Sequence, residues 1–404
     1  MLEYRTGVRF DSIPIIFRMK RAQLIADELV QTERNYVKHL YTLSVVFLAP
    51  MRAHRVLSEL PEIQAFLSNV EQVQLVNSKF VLELEDAVRS KELNIGSVFV
   101  NFAPFFKMYG QYASNHDIAM AKLAALRTSS SSVEKLFVDL ESNPLCGGQT
   151  AASLFIMPIQ RVPRYLLLLK ELLKNLSESD SDYACLKQAI IEVSKAADFI
   201  NESIKRRQNR DKILEIERRL GGQVELFEPG RILLLEATLQ QLSHRGSLVD
   251  AVFILFSDLL LLCSSNILGG PIVSRKIPLV SASVQRTVSK GLGVDPDLSF
   301  EFLSPSVSFV ASAKTKTEKN DWVEKLESAI SATKKIVDAQ VLITAMPRSL
   351  KDVHVSRVSC AFSSLTSQEV QTAPIWEMDT LVHSCSICNS QFTLFNRRHH
   401  CRNW

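Results

Sequence analysis

The stretch Pro158-Ile159-Gln160-Arg161-Val162-Pro163-Arg164-Tyr165, running on into Leu166-Leu167-Leu168-Leu169, decides how this chain is read. Two prolines five residues apart argue against one helix. Each lacks the N–H that an interior turn requires, and its ring presses on the turn before it. A purely local reading breaks the chain at both. Downstream, however, Tyr165, Leu168, Leu169, Leu172 and Leu176 recur in steps of three and four, the period of one buried helical face.

Upstream the same period returns. Between Lys20 and Phe47 the residues Ile25, Leu29, Thr32, Tyr36, Leu40, Leu43 and Phe47 form one stripe of a long amphipathic helix. Ser131 and Glu134 have capping-box spacing and open a helix over Val133 to Leu140, which Asn143-Pro144 closes. A further helix runs from about Tyr183 to Gln208, with Leu186, Ile190, Val193, Ala197, Ile200 and Ile204 on one face. Long helices with short connections predict an all-α elongated bundle.

The pattern changes after Gly221-Gly222. Short apolar runs alternate with turn signals: Arg231 to Glu236, Ala251 to Ser257, Leu259 to Cys263, Lys276 to Val280, Ser299 to Leu303 and Val307 to Ala311. Ser257-Asp258 and Gly269-Gly270-Pro271 mark turns, and a terminal helix carries Trp322, Leu326 and Ala329 on one face. Strands closed by one amphipathic helix predict a small β-sandwich or open barrel plugged at one end. Residues 336–374 are rich in serine without a sustained period and read as a linker, and a tail with cysteines and histidines follows. No internal repeat is present.

The bulk properties narrow the class. At 404 residues the chain can hold two or three cores. A net charge of +4 is too small to imply nucleic acid by itself. Arg5, Arg9, Asp11 and Arg18 interrupt any signal-peptide core before Met19, and no stretch is apolar enough to span a membrane. Seven cysteines, an odd number with four scattered singly, fit free thiols in a reducing compartment. The expected location is therefore cytoplasmic.

Two segments carry a family resemblance. Glu28-Leu29-Val30-Gln31-Thr32-Glu33-Arg34-Asn35-Tyr36-Val37 resembles the first signature of Dbl-homology domains. The stretch Pro158 to Tyr165 with its four leucines resembles their most diagnostic one, about 130 residues later, and a long helix with Phe199-Ile200-Asn201-Glu202 follows. This resemblance spans residues 20–208. It implies that the proline-rich helix starts near Pro158 and tolerates a kink at Pro163. It also implies exchange of guanine nucleotide on a Rho-family small GTPase, with no covalent chemistry and no cofactor. A partner that binds the nucleotide-free GTPase more tightly than the loaded form accelerates release, which needs a broad groove with a few polar groups. By resemblance, Glu28 contacts the first switch, Arg164 faces the second and Asn201 joins it, with Gln160 and Arg161 in support. Arg164 is arginine where many members carry lysine, which changes donor geometry. Read without the resemblance, Glu28 and Asn201 are ordinary solvated helix flanks, and Arg161 and Arg164 could equally pair with acids inside the bundle.

Residues 209–335 resemble a PH domain with its connecting helix, and Trp322 stands at that family's helix tryptophan, where it packs. Head-group binding there would draw on Arg231, His244 and Arg245, while Lys205, Arg206, Arg207 and Arg210 form a second basic run, suited to an acidic membrane or to the negative end of their helix. In the tail, Trp376-Glu377-Met378-Asp379, Cys385-x-x-Cys388 and Arg397-Arg398-His399-His400-Cys401-Arg402 resemble the opening half of a FYVE zinc finger. That family grips phosphoinositide with the basic motif and dips a turret, here Leu394 and Phe395, into the bilayer. Trp404 stands where the next metal cysteine is expected, so Cys385, Cys388 and Cys401 form an incomplete zinc set, and a tail without stable zinc is expected. Adjacent His399 and His400 diverge and do not make a zinc hydrolase. Residues 1–19 read as an N-terminal extension and 375–404 as a truncated finger. The whole resembles the FYVE, RhoGEF and PH domain (faciogenital dysplasia) family. That implies an exchange factor with a Cdc42-type GTPase among the expected targets, conditional phosphoinositide binding and cytoskeletal or endosomal association; a monomer is expected, though nothing in the sequence decides the oligomeric state. A non-catalytic membrane adaptor is the rival reading.

Overall fold

The computed structural model describes residues 13–90, 93–243, 245–264, 271–289 and 291–345, together with Ser384 and residues 390–392. The chain forms two compact units, Met1–Gln208 and Asn209–Trp404.

The first unit is helical. Helix α1 (Ile13–Thr42) begins ahead of the periodic stretch and buries Ile25, Leu29, Tyr36 and Leu40 as its stripe predicts. Over Leu43–Leu48 it loosens into a π turn. The extra residue per turn lets Leu43, Val46, Phe47 and Leu48 all face inward, where Phe47 meets Phe155 edge-on at 5.4 Å. Then come α2 (Ala49–Ala53), α3 (Arg55–Ser58), α4 (Pro61–Leu67), α5 (Val70–Arg89), α6 (Ile95–Phe102), α7 (Tyr109–Ser129) and α8 (Ser131–Glu141). They are followed by α9 (Ala151–Phe155), α10 (Met157–Lys174) and α11 (Tyr183–Arg219). Pro158 occupies the first turn of α10 and Pro163 lies inside it. The capping box does not form. Ser130, not Ser131, is the N-cap, its hydroxyl caps no backbone N–H, and Glu134 is drawn instead to Arg127 at 2.6 Å.

One close approach pins the start of α11. A Cβ on Gly96 would lie 2.4 Å from the backbone nitrogen of Leu186, so only glycine fits. That proximity lets the Gly96 N–H donate to the Asp182 carboxylate at 2.9 and 3.0 Å. Burial pushes the Asp182 pKa up to about 6, against the pull of the Gly96 and Ile95 N–H groups.

The second unit is a seven-stranded antiparallel sheet closed by a helix. Its strands are β1 (Leu233–Leu242), β2 (Leu248–Phe256), β3 (Leu259–Ser264), β4 (Ile272–Pro278), β5 (Ser283–Gln285), β6 (Ser299–Leu303) and β7 (Phe309–Ser312). They lie in the order β4-β3-β2-β1-β7-β6-β5. Strand β3 is apolar and buried from Leu259 to Cys263 because both faces are covered there, and only its last residue, Ser264, is exposed. Phe253, Leu255, Leu260 and Leu262 join Trp322 and Leu326 of α12 (Lys316–Ala345) in one core. Ile254, Phe256, Leu259 and Leu261 join Ile213, Ile216 and Leu220 of α11 in another. Trp322 is buried edge-on to Phe253 at 6.0 Å, in a packing role.

Several elements differ from the sequence reading. Strand β4 starts at Ile272 rather than Lys276, and β5 is too short to leave a pattern. Helix α11 continues past Gln208, because its second half has its own apolar spacing at Ile213, Ile216 and Leu220. Helix α12 runs through to Ala345, into the stretch read as linker, since no glycine or proline interrupts it before Pro347.

Candidate functional site

Two ion pairs fix how α1 meets α10. At one end Glu33 is fully buried and takes the Arg161 guanidinium through Nε at 2.9 Å and Nη2 at 2.5 Å. At the other end Arg21 reaches Glu171 at 3.6 Å on the surface. Residue numbers rise along α1 as they fall along α10, so the helices are antiparallel.

This register places the expected residues. Glu28 is seven residues on from Arg21, and Arg164 seven residues before Glu171. A heptad returns a helix to nearly the same face about 10 Å along its axis. Glu28 and Arg164 therefore lie on the same seam, one heptad inward from the Arg21–Glu171 pair. Both side chains are exposed, and neither bonds to a group among the described residues. Leu24 and Leu167 flank them at 68% and 69% exposure, which makes the seam charged at its centre and apolar at its edges.

Gln160 is exposed one turn before Arg164. Asn201 is exposed on α11 beside the buried Ile200 and bonds to neither Glu28 nor Arg164. Its neighbour Phe199 is half-exposed, with the Lys107 ammonium 5.9 Å from the ring centre. Arg161 needs correction. Expected as a supporting contact, it is buried with 4% of its side chain exposed, because Glu33 draws the guanidinium inward. It joins helix to helix and is closed to an external partner.

Beneath the seam lies a polar group that sequence reasoning missed. The Tyr165 hydroxyl sits 2.7 Å from Glu33 Oε2 and 3.2 Å from Asn77 Oδ1. The Asn77 amide donates to the Tyr109 hydroxyl at 2.7 Å, and the Tyr36 hydroxyl donates to Tyr109 at 3.0 Å. Burial raises the pKa of Glu33, with Arg161 and Tyr165 opposing it, and burial likewise pushes all three tyrosine hydroxyls up. The signal was present: Leu29, Glu33, Tyr36 and Leu40 share one stripe, so a carboxylate stands on an apolar face.

The second unit corrects the placing of Arg231. Arg231 lies ahead of β1, outside the β1–β2 turn, and is buried. Its guanidinium donates to Asp258 at 2.8 and 2.6 Å, to the Leu226 carbonyl at 2.6 Å and to Glu228 at 2.7 Å. Arg245 is exposed in the turn, and His244 is outside the described residues. Of the second basic run, Arg206 is held by Glu202 at 3.1 Å and Arg210 stacks over Phe227 at 5.4 Å. Among the described residues no cluster of three metal-ligating side chains occurs, and no helix is long and apolar enough to cross a membrane. The finger residues Cys385, Cys388, Leu394, Phe395, Arg397, Arg398, His399, His400, Cys401 and Arg402 lie outside the described residues.

A helical unit with this seam, followed by an antiparallel sheet and closing helix, is the arrangement of a Dbl-homology and PH pair. The first unit is a RhoGEF domain: a family model of that description matches residues 25–201, and a FYVE zinc finger model matches residues 375–403. The sequence is similar to the FYVE, RhoGEF and PH domain-containing proteins. It is 31% identical over 386 residues to protein 6 of Homo sapiens, covering 94% of this chain and 26% of that protein. It is 29% identical over 396 residues to protein 4 of Homo sapiens, covering 94% and 49%. The chain thus spans about a quarter to a half of these relatives. Among solved structures, the activated truncation of Vav1 superposes with a TM-score of 0.66 at 22% identity, covering 79% of this chain and 83% of that one. The PDZ-RhoGEF DH/PH domains in complex with GTP-gamma-S activated RhoA give a TM-score of 0.62 at 19% identity, covering 81% and 96%. These likenesses show the fold. The FYVE match falls almost wholly on residues outside those described.

Proposed function

We propose that this chain is a guanine-nucleotide exchange factor that accelerates GDP release from a Rho-family small GTPase, and that Glu28, Arg164 and Asn201 meet its switch segments. The observation that carries this reading is the α1–α10 seam, where Glu28 and Arg164 stand exposed on antiparallel helices with no bonded partner among the described residues. Charges left open this way favour an external partner with complementary groups, and exposed Leu24 and Leu167 add apolar area around them. The RhoGEF match over this helical unit and the solved complex of a similar fold with RhoA support the same partner class.

The reaction makes and breaks no covalent bond. The seam binds the nucleotide-free GTPase more tightly than the loaded one, and a preference of about 4 kcal/mol corresponds to roughly a thousandfold faster release. A Cdc42-type target, coupling to actin and membranes, and a cytoplasmic or endosome-associated location extend this proposal. Phosphoinositide contact is conditional on a folded finger, through Arg397, Arg398, His399, His400 and Arg402, and does not fall to the buried Arg231.

The test is release of a fluorescent GDP analogue from a panel of purified Rho-family GTPases. Strong acceleration for one or a few members is expected. No acceleration by a folded chain, with or without its tail, overturns the exchange reading in favour of a scaffold.

A further inference from the structure

We infer that the buried polar group formed by Glu33, Arg161, Tyr165, Asn77 and Tyr109 positions Glu28 and Arg164 for exchange, by locking α1 and α10 in one register. This rests on the exchange reading above.

Three donors converge on one oxygen. Arg161 Nε, Arg161 Nη2 and the Tyr165 hydroxyl lie 2.9, 2.5 and 2.7 Å from Glu33 Oε2, while Glu33 Oε1 is buried with no hydrogen-bond partner among the described residues. Arg161 Nη2 also reaches the Thr32 hydroxyl at 3.3 Å. An arrangement built only for stability has no need of this. A buried ion pair seldom outperforms well-packed apolar residues of the same volume, and its best-attested use is to specify one arrangement over its neighbours. Apolar side chains let helices slide, whereas a directional set of bonds on a single oxygen does not.

The group sits where register matters to the seam. Glu33 follows Glu28 by five residues on α1, and Arg161 and Tyr165 bracket Arg164 on α10. A one-residue slip would move Arg164 about 1.5 Å along the axis and turn it about 100° away from Glu28. Asn77 extends the lock to α5, and Tyr109 extends it to α7. The Tyr165 ring is itself gripped by Phe80, Phe99 and Phe106, with centroids 5.2 to 5.6 Å away. Removing its hydroxyl therefore leaves the packing in place. None of these five side chains is open to a GTPase, so they act through Glu28 and Arg164.

The experiment is GDP release catalysed by the full chain, measured over a range of GTPase concentrations for Tyr165→Phe, Glu33→Gln and Arg164→Ala, singly and with Tyr165→Phe added to Arg164→Ala. For Tyr165→Phe, kcat is expected to fall about tenfold with the half-saturating concentration changed less than twofold, in protein still folded by circular dichroism. In the Arg164→Ala background the same substitution should cost clearly less than its tenfold effect in wild type, since one of the two groups it orients is gone and only Glu28 is left to misplace. A purely structural role would lower the melting temperature and leave the kcat of folded protein alone. Wild-type kcat in folded Tyr165→Phe, or losses that simply multiply with Arg164→Ala, overturns the inference while the exchange reading stands. If the wild-type chain accelerates no GTPase, the exchange reading falls and takes this inference with it. Should Glu33→Gln fail to fold, Tyr165→Phe decides the question alone.

Discussion

Arg164 and Arg231 stand in the two regions where function was expected, and they have opposite fates. Arg164 is exposed on the α1–α10 seam and has no bonded partner among the described residues. Arg231 is wrapped by Asp258, Glu228 and the Leu226 carbonyl and keeps 4% of its side chain exposed. Both are cations near a motif, so residue type does not separate them. What separates them is whether the fold supplies a carboxylate nearby. The Asp258 turn between β2 and β3 consumes Arg231, much as Glu33 consumes Arg161, whereas Arg164 stays exposed and pairs with no acid among the described residues. A cation whose charge is already spent inside the chain holds the fold. One left open is available to a partner.

The strongest way to break this contrast is to neutralise the open seam. Glu28→Ala should reduce the rate of GDP release at least a hundredfold, with the melting temperature within about 1 °C of wild type, because an exposed, unbonded side chain contributes little to stability. Activity near wild type would remove Glu28 from the exchange surface. A large drop in melting temperature would show that its charge is used internally after all.

Arg231→Ala is the converse. It should leave exchange by the helical unit within about twofold and destabilise the second unit by about 2 kcal/mol. The figure is set below that for a fully buried pair because water can reach Asp258 and Glu228 once the guanidinium is gone. Urea unfolding followed by the fluorescence of Trp322 would report it. An unchanged midpoint would mean that Arg231 is dispensable to the fold and would reopen it as a ligand group.

How much of this was legible follows the range of the interactions. Local period sufficed for α1, α10 and the Trp322 face of α12, since each buries one stripe. The same rule contained an unused answer. Arg161 stands four residues before Tyr165 on the stripe continued by Leu169 and Leu172, so its burial was readable, while Arg164 falls on the opposite flank. Glu33 claims Arg161 from 128 residues away and Asp258 claims Arg231 from 27, and pairing over such distances leaves no local mark, although Glu228, three residues before Arg231, is a local acid. The second half of α11 was missed because its apolar residues pack on a sheet that only forms later in the chain.

The Asp182 anchor sharpens the comparison from a third side, as a buried carboxylate with no cation. Its folded pKa of about 6 lies above the ordinary aspartate value, so the folded state holds the proton more tightly. Its contribution is therefore most favourable below about pH 4 and is lost as pH rises through about 6. Glu33 is shifted in the same direction, while Glu85, Glu134, Glu171 and Glu192 are shifted down and act oppositely. The informative quantity is thus the difference between wild type and Asp182→Asn, which keeps an acceptor for the Gly96 N–H. Wild type should lose about 1–2 kcal/mol relative to the variant between pH 4 and 6.5. A constant difference would mean that the carboxylate is as well solvated folded as unfolded.

The smallest expected effect tests the same idea on a helix end. Ser130 is the N-cap of α8, a position where serine to alanine ordinarily costs about 1 kcal/mol. Here its hydroxyl lies 3.0 Å from the Ser132 hydroxyl and caps no backbone N–H, while Glu134 is held by Arg127, which also binds Glu141 at 3.0 Å. The ion-pair cluster has replaced the capping box as the device that closes the turn between α7 and α8. Ser130→Ala should accordingly change stability by less than about 0.5 kcal/mol, and Arg127→Ala by more, since it frees both carboxylates and removes the guanidinium from the Phe137 ring 5.0 Å away. A loss near 1 kcal/mol for Ser130→Ala, with Arg127→Ala neutral, would reverse the assignment and show that the cap outweighs the charges at this end.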